Sequence, residues 1–324
     1  MIDGTTHHPL RASKGTKMLT TRDGQAVWLD YWGPRMLTAD LSSEVPEIRE
    51  HRQLEGEQIE AIAALGGGRW AVVSWLSGVS PVQSRVRWAR FEDLGSLGDQ
   101  PAVTVPGRFS FAHGVSGHLL LGTYNVPLSV VRADGELVPV VTEPPFSTET
   151  EAFTLPDGRD GLLFGGDAHT FDGQNLERVW TLGVAAEPAF KGEGAQVCGP
   201  VATVGDDIFT LDAMPGAFRG GRVVHVRADG SREKLHALGD YSGLLGLPEG
   251  ALLAIHKRSK TKYGRVLFIA EGKAANLSPK ALGSTAPLGA AFWDPTHERL
   301  CVFGPDDLIT VPWSGIRAET RRKL

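Results

Sequence analysis

Short apolar runs joined by glycine-marked turns recur along this 324-residue chain, and the interval between recurrences limits what it can fold into. Units open near residues 18, 61, 111, 152, 201, 244 and 290, so successive steps run from 41 to 50 residues. The rhythm is clearest at the join between the third and fourth strand of a unit. Val130-Val131-Arg132-Ala133-Asp134-Gly135-Glu136-Leu137 and His225-Val226-Arg227-Ala228-Asp229-Gly230-Ser231-Arg232 both place Asp-Gly between two β-favouring runs. That pair predicts a tight hairpin turn with both central residues at positive φ. Looser versions occur at Asp172-Gly173 and Glu271-Gly272.

The second run of most units is four to six apolar residues long, as in Trp70 to Trp75, Leu119 to Gly122, Leu162 to Gly165 and Leu300 to Phe303. Runs of that length between turn residues read as strands buried on both faces. Helical periodicity is hard to find, and the 40 glycines and 20 prolines are spread evenly along the chain. They punctuate many short strands and argue against long helices. The last unit has room for three strands, Ala290 to Trp293, Leu300 to Phe303 and Leu308 to Trp313, ahead of a basic tail. Its fourth strand is expected from the amino terminus, between Thr5 and Ala12, a closure that leaves no sheet edge exposed.

A repeat of this length, with four strands per unit, resembles a β-propeller across nearly the whole chain. The resemblance is one of architecture. WD40 signatures do not recur, with Trp293-Asp294 at the wrong point of its unit, and the kelch-like Gly165-Gly166, Phe171-Asp172 and Trp180 belong to one unit alone. The expected fold is all-β: a single-domain propeller over residues 1–324 with seven four-stranded blades, six being the alternative count. Such a fold hosts enzymes, binding platforms and scaffolds, so function has to be argued from a site.

Composition narrows the partners. Hydrophobic residues make up 41% and charged residues 22%, which suits a chain with a buried core. With 33 Lys and Arg against 38 Asp and Glu the formal charge is -5, so no overall positive field draws nucleic acid or anionic membrane. Neither is an expected partner. The amino terminus carries no apolar leader and no apolar stretch reaches the ~20 residues a bilayer requires, which predicts a soluble, cytoplasmic protein. Cys198 and Cys301 each sit in an apolar run and read as buried free thiols.

In a propeller, the loops between second and third strands and the connections between blades emerge on one face, around the channel mouth. The resemblance sorts the polar residues accordingly. Tyr31, Trp32, Tyr124, Asn125, Phe218 and Arg219 form an aromatic and polar recognition set, and His256, Lys257, Arg258, Lys260 and Lys262 form a basic run suited to phosphate or an acidic surface. The segments leading into first strands add Glu57, Gln58, Glu60 and Arg108. Glu60, Glu151, Asp167, His169 and Asp212 offer oxygen and imidazole ligands at the mouth, and calcium is the ion such a set would take. No other cofactor is expected, since Gly-x-Ser-x-Gly, His-Glu-x-x-His and a phosphate-binding loop ahead of a helix are all missing from the sequence. Two functions follow. The favoured one is a non-catalytic binding or scaffold propeller holding a protein or small-molecule ligand on its loop-rich face, mainly over the longer loops Ser77 to Arg85, Asp212 to Gly221 and His256 to Gly264. The alternative is a metal-assisted hydrolase or lactonase using the mouth carboxylates.

Overall fold

A computed structural model describes residues 1–10, 16–30, 35–51, 54–109, 111–123, 126–140, 150–164, 167–182, 196–213, 222–237, 241–256, 266–284, 290–303 and 306–324. It contains seven four-stranded antiparallel sheets, and six of them are built from four strands consecutive in the chain. Six of the seven expected unit starts fall within the first strand of a sheet, and residue 290 lies one position ahead of Ala291–Asp294. Residues group into two compact units: 13–148 with 170–177, and 1–12 with 149–169 and 178–324.

The first unit of the fold holds three sheets. Their strands are Thr16–Arg22, Gln25–Asp30, Met36–Asp40 and Glu47–His51; Glu57–Gly66, Arg69–Leu76, Gln83–Arg90 and Ala102–Pro106; and Phe111–Val115, His118–Thr123, Val126–Val131 and Leu137–Pro139. Alternation along each strand sends side chains to both faces, and both faces are covered. Val27, Leu29 and Met36 of the first sheet pack on Ile62, Trp70 and Val72 of the second. On its opposite face the second sheet turns Ala63, Val73 and Val86 toward Ala112, Leu119 and Leu121 of the third. Double burial is why the strands read as unbroken apolar runs.

Neighbouring first strands approach closely. A Cβ on Gly114 would fall inside the carbonyl oxygen of Ala64, in the preceding sheet's first strand. In the other compact unit, Gly246 stands in the same relation to the carbonyl of Thr203. The hydroxyl of Thr20 donates to the carbonyl of Ile62 at 3.4 Å, and that of Thr203 to the carbonyl of Thr154.

The seventh sheet runs Thr6–Pro9, Asp307–Pro312, Arg299–Phe303 and Ala291–Asp294, so the expected amino-terminal strand does complete it. Thr6 pairs with Thr310 and Pro9 with Asp307. His7 Nδ1 lies 2.5 Å from an Asp307 carboxylate oxygen, and the buried His8 holds the Thr310 hydroxyl at 3.3 Å. Beyond this sheet the sequence reading needs correction, because the basic tail is a helix, Trp313–Arg321, burying Trp313, Ile316 and Thr320. Trp313 and Ile316 join Ile2, Val302 and Ile309 in one apolar cluster. The Cys301 thiol is fully buried in the same sheet, and burial pushes its pKa up to about 12. The Cys198 side chain lies outside the described residues.

The turns differ from expectation as well. At Asp134-Gly135 and Asp229-Gly230 only the glycine has positive φ, +90° and +79°. The Asp side chain instead accepts the N–H two residues on, from Glu136 at 3.0 Å and Ser231 at 2.8 Å. This local side-chain bond lets the turn carry one residue more than a two-residue hairpin loop. The two-residue form with both positions positive occurs at Asp23-Gly24 and Glu271-Gly272.

Two measurements check this account. Gly114→Ala should cost about 3 kcal/mol or more, since the obstructing atom is backbone and cannot rotate away; urea unfolding with an unchanged midpoint would contradict the close approach. For His8, burial and then the charges of Arg299 and His7 hold the pKa below 6.5. A depressed folded value means its contribution is complete above pH 6.5 and is lost as pH falls toward the folded pKa. The difference in melting temperature between wild type and His8→Gln should therefore shrink between about pH 7.5 and about pH 5, and a constant difference would contradict it.

Candidate functional site

The second sheet buries charged side chains, Glu57, Glu60 and Arg87. Its loop between second and third strands is pinned at both ends by backbone. The N–H of Ser77 donates to Gly56 at 3.2 Å, and the N–H of Gly107 donates to Val82 at 2.9 Å, while the Ser84 hydroxyl reaches the Gly107 carbonyl at 2.8 Å. Gly56, at φ +69°, and Gly107, at φ +101°, adopt the left-handed region that such crossings require. These bonds bring the start of the first strand, the Ser77 to Val82 loop and the segment leading to the third sheet to one end of the sheet. Val79 and Val82 are exposed there, at 40% and 45%.

On the face toward the first sheet, Glu57 is buried and fully engaged. Its carboxylate accepts from both Nη atoms of Arg87 at 2.6 and 2.8 Å, from Arg85 at 2.6 Å and from the Ser74 hydroxyl at 2.5 Å. Burial alone would raise its pKa, but the bonds from Arg87, Ser74 and Arg85 outweigh it and hold the group at about 2. Arg87 is buried with its partner, whereas the Arg85 side chain remains 40% exposed.

The opposite face holds a second cluster. Alternation sends Glu60, three residues on from Glu57, to this face, and the one-residue slip in pairing between Ile59 and Ala61 shifts the phase only of the residues that follow it. Buried Glu60 accepts from Arg108 Nη2 at 2.5 Å, and the Arg108 guanidinium lies over the Trp75 ring, 4.5 Å from its centroid. Trp75 follows Ser74 in the strand, so alternation alone sends it to the other side. Arg108 is 51% exposed. Each exposed arginine makes one hydrogen bond to its carboxylate among the described residues, leaving Nε and one Nη of each available. Three guanidiniums stand against two carboxylates, a local charge of +1 in a chain of net charge -5.

The other expected site residues fall as follows. Tyr31, Trp32, Tyr124, Asn125, Phe218, Arg219, Lys257, Arg258, Lys260 and Lys262 lie outside the described residues, as do the side chains of His256 and Asp212. Glu151 opens the fourth sheet's first strand and accepts the N–H of Val201 at 3.2 Å. Asp167 opens that sheet's third strand and accepts the N–H of Leu182 at 3.0 Å and Arg178 at 3.5 Å. His169 Nδ1 faces the Asp167 carbonyl at 3.2 Å, and burial lowers its pKa. Each of these described side chains thus bridges to its own blade or the next. No group of three or more His, Cys, Asp and Glu is placed to hold a metal ion among the described residues, and no described helix is long and apolar enough to cross a membrane. Sequence reasoning reached Glu57, Glu60, Arg85 and Arg108 as neighbours of one face but not their pairing, nor the parts played by Ser74, Trp75 and Arg87. The available signal was Arg85-x-Arg87 alternating with the apolar Val86 and Trp88.

No family model and no curated protein matches the chain. Solved structures do. The GH74 xyloglucanase of Xanthomonas campestris aligns over 96% of this chain at 13% identity with a TM-score of 0.62, and the chain spans 54% of that protein. The β-propeller domain of Cps50 (Swd1) from Myceliophteria thermophila aligns over 96% of this chain and 98% of its own, at 14% identity and a TM-score of 0.54. The chain is a seven-bladed β-propeller. A putative 6-phosphogluconolactonase from Bacteroides uniformis aligns over 85% of this propeller and 86% of its own chain, at 15% identity and a TM-score of 0.53. These identities speak to fold alone. Within the propeller, both ion clusters lie at the end of blade two where second strands hand over to third strands.

Removing the central acceptor tests the site's construction. Glu57→Gln would strand the buried Arg87 charge and should cost about 3–5 kcal/mol. The loss should be largest above pH 4.5 and fade as acid protonates the wild-type carboxylate between 4.5 and about 2. Chemical denaturation across that range reads the outcome, and a variant as stable as wild type at neutral pH would contradict it.

Proposed function

We propose that the chain is a non-catalytic binding propeller that engages a protein partner through the loop face of blade two. One observation carries the reading: Arg85 and Arg108 are half-exposed, held in place by the buried carboxylates Glu57 and Glu60, and keep unused donors toward solvent. A guanidinium fixed by a carboxylate on one edge loses little rotamer freedom when a ligand takes the other edge, which lowers the cost of association. Arginine on an aromatic face is also a common anchor of protein interfaces. The described carboxylates of the expected calcium set have partners of their own, so a binding surface needs nothing further from them. A metal-assisted hydrolase would need Glu60, Glu151, Asp167, His169 and Asp212 to share an ion, and elemental analysis of the purified protein with a calcium-dependent melting shift would favour that reading instead.

The basic run belongs to the same proposal. Replacing Lys257, Arg258, Lys260 and Lys262 with serine should weaken partner recovery from the native host about tenfold, and leave the melting temperature within ~1 °C of wild type. Undiminished recovery would exclude the run from the interface, and the same result for an Arg85→Gln/Arg108→Gln variant would sink the binding function of blade two.

A further inference from the structure

The two exposed arginines sit on opposite faces of one sheet. Ser74, which donates to Glu57, and Trp75, which carries Arg108, are consecutive in a strand, so the Arg85 and Arg108 groups are separated by the thickness of blade two. Side chains on either side of a sheet place their ends roughly 10 Å apart, as the spacing of packed sheets implies. Between them runs the Ser77 to Val82 loop, pinned at Gly56 and Gly107 and presenting Val79 and Val82. Cation, aliphatic ridge and cation therefore follow one another across the rim of the blade.

Resting on the binding function proposed above, we infer that this rim takes an extended acidic peptide segment, with two carboxylates about four residues apart and an aliphatic side chain midway between them on the same face. The spacing follows from chain geometry: an extended backbone advances roughly 3.3 Å per residue and every second side chain shares a face, so about four residues cover the gap with both carboxylates and the central side chain turned the same way. The charge follows from the excess of one guanidinium and from the free Nε and Nη edges, which fit a carboxylate. A single-stranded nucleic acid fits less well. It would need an open aromatic face for its bases, and that of Trp75 is covered by Arg108.

Fluorescence anisotropy with a labelled decapeptide carrying glutamates at positions 4 and 8 and valine at position 6, in a serine and alanine background, tests the inference. Saturable binding below about 1 mM, weakened by salt, is expected. Arg85→Gln/Arg108→Gln should weaken it tenfold or more, and a peptide with adjacent glutamates should bind at least threefold more weakly. Because removing Arg108 leaves Glu60 without its guanidinium, Val79→Ser/Val82→Ser provides a variant outside both ion clusters, with a threefold to tenfold loss expected. Indifference to glutamate spacing, equal binding by both variants, or tighter binding of a labelled ten-nucleotide oligothymidylate would overturn the inference. If the decapeptide fails while partner recovery from the native host still depends on Arg85 and Arg108, the acidic-peptide assignment falls and the binding function stands.

Discussion

The approach of one first strand to the next is the constraint on which the described blades depend. At Gly114 and Gly246 a hydrogen is the largest substituent that leaves room for the preceding blade's carbonyl. Elsewhere in the inner layer the same distance is bridged by threonine hydroxyls reaching a neighbouring carbonyl. Once backbones are this near, the next layers out follow. Aliphatic side chains of the second and third strands meet between sheets, and the polar groups buried among them, such as Thr38 and Arg87, are tied to partners of their own. The Glu57 and Glu60 clusters begin at the start of the first strand of blade two.

Burying a carboxylate with two arginines is expensive, and replacing such a group by apolar side chains is often neutral or stabilising. The Glu57 cluster is therefore poor evidence for stability as a goal. It makes more sense as a mount. Arg87 neutralises Glu57 inside the sheet, and Arg85, bound to the same carboxylate, is held at the surface with little freedom to move. The second mount, Glu60 with Trp75, orients Arg108 through charge on one edge and ring contact on one face.

Most of the architecture was legible in the residues. A repeat of 41 to 50 residues located all seven sheets, and the missing strand of the last unit pointed to the amino terminus, because both follow from local apolar patterning and from the need to cover an edge. The helix Trp313–Arg321 was not legible: its apolar positions are few, and it is held by packing against the cluster containing Ile2 and Ile309. The ion clusters were half legible. Glu57, Glu60 and Arg108 stood out as charges leading into strands, but which guanidinium meets which carboxylate depends on strand register and on how the segment after the fourth strand crosses to the third sheet. Neither is written in composition or period. Turn chemistry failed in a similar way at Asp134 and Asp229, where a side-chain acceptor replaced the backbone geometry that Asp-Gly alone suggests.

The strand Thr6–Pro9 has a consequence for how the molecule is made. Its His8–Thr310 contact joins residues 302 positions apart, so the strand leaves the ribosome long before its partner strand is made. At roughly 5–20 residues per second, synthesis of the intervening chain takes on the order of 15–60 s. Throughout that interval no blade in the growing chain can use the strand, and until it docks, the strand Asp307–Pro312 presents an open edge to any other chain nearby. The seventh blade is thus a timer as well as a clasp, since it closes only after every residue between its two segments has been made.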